Sequence, residues 1–529
     1  MKKRSVTLAA AAVGLMVAHG TVSRARAEDL ASRIERLERE LQDMKAELQR
    51  QKEAQAQAKA QAEESAPQRP KPPAPEQAAR GGGVTPALRE LTDRVKVGGY
   101  GSFRFENSSL EDLKNTFTLR RFVLTTDANI APRLRAYFEL EFERFRKLEL
   151  EKGLQATRSG LGVQQAVEGT NDSEISLEQA WVQYDLYDWL RFRAGAILVP
   201  LGRFNIRHDD NLWNLPRRSL VDRGVPVLPS EAAWDELGVG FSGDIALTEE
   251  LLGTYQLYVM NGVSLDSSIE TVARSRVGDT TLNEREVELS PSTGTFNLDN
   301  KNAKALSGRF ALSPSLGNEV AASFYWGRYT PDFLPSEDLY ALSADGLCSL
   351  GPFELEGEYV FTHFSGVESV ARKFASVALN TESSIENPAV EQEVDFELSH
   401  LASDRQGYWF ELRRRFWPGW LSHSVLGRPF AHPQLVATIR GEQVWLGGLV
   451  RRAEFVNGAL TDFNRENRWV DRATIGLAYR PVPLVVFQLA YEYTRTDHGK
   501  SLADVTNFLP ARASESDAHG ILAGIAFGF

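Results

Sequence analysis

The sequence predicts an all-β fold, a 16-stranded antiparallel transmembrane β-barrel preceded by a short N-terminal α-helical coiled coil. Three observations lead there. From Arg94 onward, apolar and polar residues alternate in segment after segment. Short turn-like joins take turns with long polar stretches along the chain. The last strand pattern, "GILAGIAFGF", is apolar and closes on Phe529, where soluble domains usually fray into polar residues.

At the start, Lys2, Lys3 and Arg4 precede an apolar run from Val6 to Ala18, and Ala25-Arg26-Ala27 offers a small-x-small cleavage site. Residues 1–27 thus read as a secretory signal peptide, its apolar run too short for a membrane span. Removing them takes away Lys2, Lys3, Arg4, Arg24 and Arg26 and no acid, so the formal charge of −11 becomes −16. Nucleic acid is repelled by such a chain and is set aside as a partner. Cys348 is the single cysteine. No intrachain disulfide is available to an exported chain of this kind, and a plain buried thiol is expected.

Residues 28–52 carry a heptad seam, with Ile34, Leu41 and Leu48 at a and Leu30, Leu37 and Met44 at d. Arg33 with Glu38, Glu40 with Lys45, and Glu47 with Lys52 fall at g and the following e, the pairs that meet across a parallel coiled coil. The seam does not choose between dimer and trimer, and three heptads are marginal alone. Residues 53–91 turn Ala/Gln-rich, then "APQRPKPPAPEQ", then Gly81-Gly82-Gly83. This composition forms no core and reads as a stiff spacer with a hinge.

Residues 92–529 hold the barrel. "RLRAYFELEFE" sets Leu134, Ala136, Phe138, Leu140 and Phe142 against Arg135, Glu139, Glu141 and Glu143. "PFELEGEYVF" and "VVFQLAYEY" repeat the pattern, as do "RVKVGGYGSFRFE" and "LRFRAGA". Period-two alternation marks strands with one apolar and one wet face. A soluble sandwich uses strands of about five or six residues, whereas a membrane barrel needs about ten. Length and the files of Glu and Arg favour the barrel. Seven joins are expected at "DANIAPRL", "YDLYDWL", "DIALTEELL", "LSPSLGNE", "CSLGPFE", "FWPGWLSHS…AHP" and "YRPVPLV". Longer polar loops are expected near 106–116, 148–175, 200–236, 262–303, 328–338, 362–404, 444–466 and 495–517. The last strand must then pair with the first, because an open edge cannot be satisfied in lipid. Ile521, Ala523, Ile525, Phe527 and Phe529 would face lipid, with Phe527 and Phe529 as the membrane-insertion signal.

The stretch "LEQAWVQYDLYDWLRFRAGAILVPLGRFN" resembles the phosphate-selective porin O/P family, and the likeness covers roughly residues 92–529. That resemblance implies a bacterial outer-membrane homotrimer with its coiled coil in the periplasm, towards the cell wall. It implies passive diffusion of small hydrophilic solutes, anions such as phosphate among them, with no cofactor, no metal and no enzymatic activity. In that family a third loop folds inward to narrow the pore. Here the loop in that position carries Arg203, Arg207, Arg217, Arg218 and Arg223 alongside Asp209, Asp210, Asp222, Glu231, Asp235 and Glu236. With Arg191 and Arg193 on the strand before it, these arginines, Asp209 and Asp210 are the candidate constriction residues. Three readings stand side by side: an anion-binding constriction, a transverse field of acids facing arginines, and ion pairs that only stiffen the loop.

Other signals are weaker. "GGYGSF" lacks the helix and acidic partner of a dinucleotide site. Adjacent His208, Asp209 and Asp210 rarely converge on one cation. No nucleophile elbow is present. A non-conducting tether or surface-binding barrel, and behind it a barrel-embedded hydrolase, are the competing functional classes.

Overall fold

The computed structural model describes residues 94–110, 114–143, 148–157, 160–169, 174–224, 227–229, 233–277, 280–292, 301–374, 392–397, 402–456, 459–500, 502 and 515–529. The expected signal peptide, the coiled-coil seam from Leu30 to Leu48 and the spacer lie outside the described residues.

The chain begins with β1 (Val95–Ser108), β2 (Thr116–Ala131) and β3 (Leu134–Glu143), then a separate hairpin of β4 (Leu148–Thr157) and β5 (Gly160–Gly169). It continues through β6 (Glu174–Tyr187), β7 (Leu190–Leu198), a short helix α1 (Arg203–Ile206), β8 (Asp235–Ala246) and β9 (Leu252–Met260). A second hairpin, β10 (Ser264–Val277) and β11 (Thr280–Ser292), precedes β12 (Ala305–Ser315), β13 (Asn318–Arg328), β14 (Asp338–Leu350) and β15 (Phe353–Phe364). Then come β16 (Gln392–Glu397), β17 (Ala402–Phe416), β18 (Gln434–Val456), β19 (Ala459–Val482), β20 (Val485–Thr496) and β21 (Asp517–Gly528).

Sixteen of these strands form a closed antiparallel ring. Across the strand-bearing loops, β3 pairs with β6, β9 with β12 and β15 with β17. The ring shuts where β21, already paired with β20, pairs with β1. At that seam Phe529 N donates to Gly99 O at 3.0 Å and Gly99 N to Phe529 O at 3.3 Å. Phe527 stacks on Phe103, and Phe529 on Phe122.

All seven joins fall where the sequence placed them, six short ones between β2 and β3, β6 and β7, β8 and β9, β12 and β13, β14 and β15, and β19 and β20, and the longer one between β17 and β18. Four long segments expected as loops hold strands instead. The 148–175 and 262–303 segments carry the two hairpins, 362–404 carries β16, and 444–466 is taken up by the ends of β18 and β19, which run for 23 and 24 residues. Alternation is present there, as in "LELE" at 148–151 and "EVDFE" at 393–397, but over runs too short to stand out from their polar surroundings.

Side-chain alternation follows the expected sides. Val97, Phe103, Phe138, Leu355, Leu489, Ile521 and Ile525 are exposed on the outer surface, whereas Glu139, Glu141, Glu356, Glu358, Gln488 and Glu492 are buried on the inner one. Phe529 is exposed too. Cys348 corrects the expectation of a buried thiol: it is exposed, because it shares its face of β14 with Leu342 and Tyr340. A buried apolar cluster including Phe204, Trp213, Trp234, Tyr258, Tyr325 and Trp409 lies among the inner-face residues.

Deleting residues 517–529 removes β21 and leaves β1 and β20 each with an open edge. The truncated chain is expected to give no folded, denaturant-resistant band on unheated SDS gels, where the full chain gives one.

Candidate functional site

β7 ends because Pro200 has no N–H to donate to a ladder. Gly202 follows at φ 78°, a left-handed conformation, and a Cβ there would collide with Glu358 Oε1. The turn leads into α1, whose Phe204 N donates to Glu358 Oε2 at 2.9 Å. Asn205 ties the root of this connection together. Its Nδ2 donates to Val199 O at 2.9 Å, and Trp234 N donates to its Oδ1 at 2.9 Å.

From that root, the polar partners of residues 199–234 are inner-face side chains spread around the ring. Arg203 reaches Glu356 on β15, Glu319 on β13 at 2.7 Å and Asp345 on β14 at 3.6 Å. Arg207 lies 3.3 Å from Glu356 and keeps 38% of its side chain exposed. Asp210 accepts from Ser102 Oγ of β1 at 2.6 Å and lies 3.6 Å from Arg121 of β2. Arg217 pairs with Glu106 of β1 and, at 2.9 Å, with Glu492 of β20. Arg218 Nη2 donates to His208 O at 2.7 Å, and its guanidinium lies 3.5 Å from Asp210 and 3.6 Å from Asp222. Leu220 N donates to Glu442 of β18 at 3.0 Å. Arg480 of β19 donates to Asn214 Oδ1, Asn211 O and Trp213 O at 2.9–3.0 Å.

Phe204 and Trp213 stack at 4.1 Å with 9° between their planes, and Trp409 of β17 meets both edge-on. The Arg440 guanidinium of β18 stands 5.6–5.7 Å from all three ring centroids, a cation–π arrangement. Arg440 also donates to Glu411 at 2.8 Å and to Arg217 O at 3.0 Å. Rings, carboxylate and backbone carbonyl together surround a buried cation.

Two strand irregularities bring further charges to the segment. In β2 the register moves from Ser102 opposite Arg121 to Phe103 opposite Leu119, leaving Arg120 as an extra residue. Leu119 and Phe122 stay exposed outside, so Arg120 and Arg121 both turn inward. In β6 the register moves from Glu139 opposite Gln179 to Leu140 opposite Leu177, leaving Glu178 as the extra residue. Glu178 Oε2 then lies 3.1 Å from His208 Nε2, while His208 Nδ1 meets Asn205 O at 2.9 Å. Burial alone would push the His208 imidazole down, but Glu178 outweighs it and holds it up at about 10. Burial would raise the Asp210 carboxyl, but Arg121 and Arg218 hold it well below the usual range.

The structure therefore gathers Arg203, Arg207, Arg217, Arg218, Asp209 and Asp210 on one segment. Arg191 and Arg193 stand apart, with Asp244 and, at 2.7 Å, Gln183 as their partners and Trp181 under the Arg193 guanidinium at 4.1 Å. The Arg223 side chain and Glu231 lie outside the described residues. Glu139, His208 and Asp209 bring ligand atoms within 4.8 Å of one another, but both His208 ring nitrogens already have partners in Glu178 and Asn205. Sequence reasoning missed Arg121, Glu178, Trp409, Arg440 and Arg480. The doubled basic pair in "LRRF" was a visible signal of the first, while the others name no partner in the sequence.

No family model matches the chain. A protein of Aquifex aeolicus (strain VF5), described as uncharacterized, is 25% identical over 188 residues, 35% of this chain and 36% of that protein. The chain thus spans about a third of that relative's length. Among solved structures, an anion-selective porin from Comamonas acidovorans is similar at 9% identity and TM-score 0.43, with 82% of this chain and 99% of that one covered. OmpF of Salmonella typhi, in complex with daunomycin, is similar at 11% identity and TM-score 0.45, with 82% and 97% covered.

Two outcomes check this geometry. Arg440→Ala takes one of two guanidinium partners from buried Glu411, leaving Arg413, and the cation from three rings, and should cost about 1.5–3 kcal/mol in urea unfolding; the Arg191→Ala change, at a half-exposed pair, should cost about 0–1 kcal/mol. His208 is held above its unfolded value of about 6.5, so its contribution is complete below that pH and is lost as pH rises through about 10. The wild-type urea midpoint should fall across that window, and His208→Gln should flatten the fall.

Proposed function

We propose that this chain is a bacterial outer-membrane channel through which small hydrophilic solutes diffuse passively. The observation that carries the reading is a closed ring whose outward side chains are apolar and whose inward ones are charged. Such a ring satisfies every wall hydrogen bond in lipid and offers water a polar lining. Exposed aromatics near the short joins, including Tyr187, Trp189, Phe353 and Phe416, suit an interfacial belt at the periplasmic end. Phe527 and Phe529 fit an insertion signal at the same end. Residues 1–27 would direct export, and the coiled coil of residues 28–52 would join a homotrimer in the periplasm, towards the cell wall.

Within this reading the segment from Val199 to Trp234 is the inward third loop. Its arginines do not contribute equally. Arg203, Arg217 and Arg218 are buried against carboxylates or backbone carbonyls, whereas Arg207 faces water beside Glu319 and Asp209, whose side chains are 31% and 35% exposed. Arg207 is then the residue to meet anions such as phosphate, in a mixed field. The resemblance to phosphate-selective porins supports that solute class.

A plugged, non-conducting barrel that tethers or binds at the surface is the second reading. It is favoured by charged wall residues buried under the segment, Arg121, Arg440 and Glu411 at 0–1% exposure, where a broad water-filled lumen would leave them wet.

Planar-bilayer recording separates the two. Stable conductance steps from the purified protein are expected, and their absence would leave the plugged barrel standing. Under a salt gradient, Arg207→Ala should move the zero-current potential towards cations, while Arg193→Ala should leave it unchanged; an unmoved potential in Arg207→Ala would remove that assignment.

A further inference from the structure

We infer that the outer wall of β15 and β17–β20 binds an anionic phospholipid, its phosphate on Arg414 and an acyl chain beside Ala437. The inference rests on the membrane reading above.

A groove of about 560 Å³ runs over this wall, within the range of small-ligand sites. Its shape follows from the register. Phe353, Arg414, Ala437, Leu477 and Leu489 lie in one cross-strand row. Leu412, Ile439, Ile475 and Tyr491 form the row above it on the same face. Ala437 is the small residue between two long neighbours, so the surface dips there, and branched aliphatic side chains floor the rest.

Arg414 is the feature that needs a partner. It shares its face of β17 with exposed Phe410 and Leu412, and its guanidinium lies 5.5 Å from the Phe353 ring centroid. Among the described residues its side chain makes no hydrogen bond or ion pair. Its neighbours differ: Arg413 faces inward against Glu356 and Glu411, and Arg415 pairs with Glu354 at 2.7 Å. β17 ends two residues later at Phe416, so Arg414 sits at the level of the aromatic belt, where lipid phosphates lie. A planar guanidinium there can take two phosphate oxygens at once. Charge at one end and an apolar groove leading away from it fit a single glycerophospholipid of the periplasmic leaflet.

Native mass spectrometry of the full chain in detergent, titrated with phosphatidylglycerol or phosphatidylcholine, tests this. Wild type should retain phosphatidylglycerol roughly five-fold better, the factor that about 1 kcal/mol for one basic residue at an anionic lipid surface provides. Arg414→Ala should erase the preference, Arg414→Lys should restore part of it, and Ala437→Trp should reduce retention of both lipids. Equal retention by wild type, or an unchanged preference in Arg414→Ala, would overturn the site. So would Ala437→Trp splitting an oligomer without touching lipid retention, since the groove would then be a contact between copies. In each of these cases the protein still inserts into bilayers; failure to insert would overturn the membrane reading as well.

Discussion

A sheet edge leaves a row of backbone N–H and C=O groups without partners, and here that row is removed by pairing the last strand with the first. Once Phe529 and Gly99 exchange hydrogen bonds, every ring strand has two neighbours and the wall has only an inside and an outside. Period-two geometry then assigns each side chain to one of them. Carboxylates and guanidiniums sent inward must be satisfied there. They answer one another, and the connection after β7 answers the remainder with carbonyls of Trp213, Arg217 and others. Buried ion pairs add little net stability compared with apolar replacements. Their larger effect is to define one position for a connection whose described residues form only short helical turns.

That position is held unevenly. Asn205 fixes the root, the ring trio around Arg440 fixes the middle, and Arg480 with Gln488 holds the stretch from Asn211 to Leu215. At Arg207 and Asp209 the backbone is still held, by Trp213 Nε1 on Arg207 O and by His208 between them, but the two side chains are partly open to water. Local opening draws on the least-packed parts of a structure. The half-exposed Arg207 and Asp209 side chains therefore have more freedom to move than the buried Arg203, Arg217 and Arg218.

Much of the architecture was legible because it rests on local chemistry. Strands such as Leu134–Glu143 announce both their faces, and turns such as "CSLGPFE" announce their ends. The strands inside the long loops were not legible, since their alternating runs, such as "LELE" and "EVDFE", are short and set in polar sequence. The face of Cys348 follows from parity alone, since it stands six residues after Leu342 along β14 and shares that residue's outward side. The candidate segment was found from its arginines, but its partners lie up to 275 positions away, as Gln488 does from Trp213. Nothing in the residues near Glu106, Glu442 or Trp409 says which of many inward side chains the connection will choose.

The extra residue in β2 shows how such a wall would respond to changes of length. Arg120 and Arg121 share the inner face only because one more residue is threaded there than its partner strand supplies. Excising either arginine would close the bulge and leave a single inward cation, with the rest of the strand free to keep its register. Excising a residue elsewhere in β2 would instead shift the flanking half by one and exchange its wet and greasy sides. Deletions are thus tolerable at the bulge and ruinous a few positions away, so length variation among variants of this chain should collect at its irregular points.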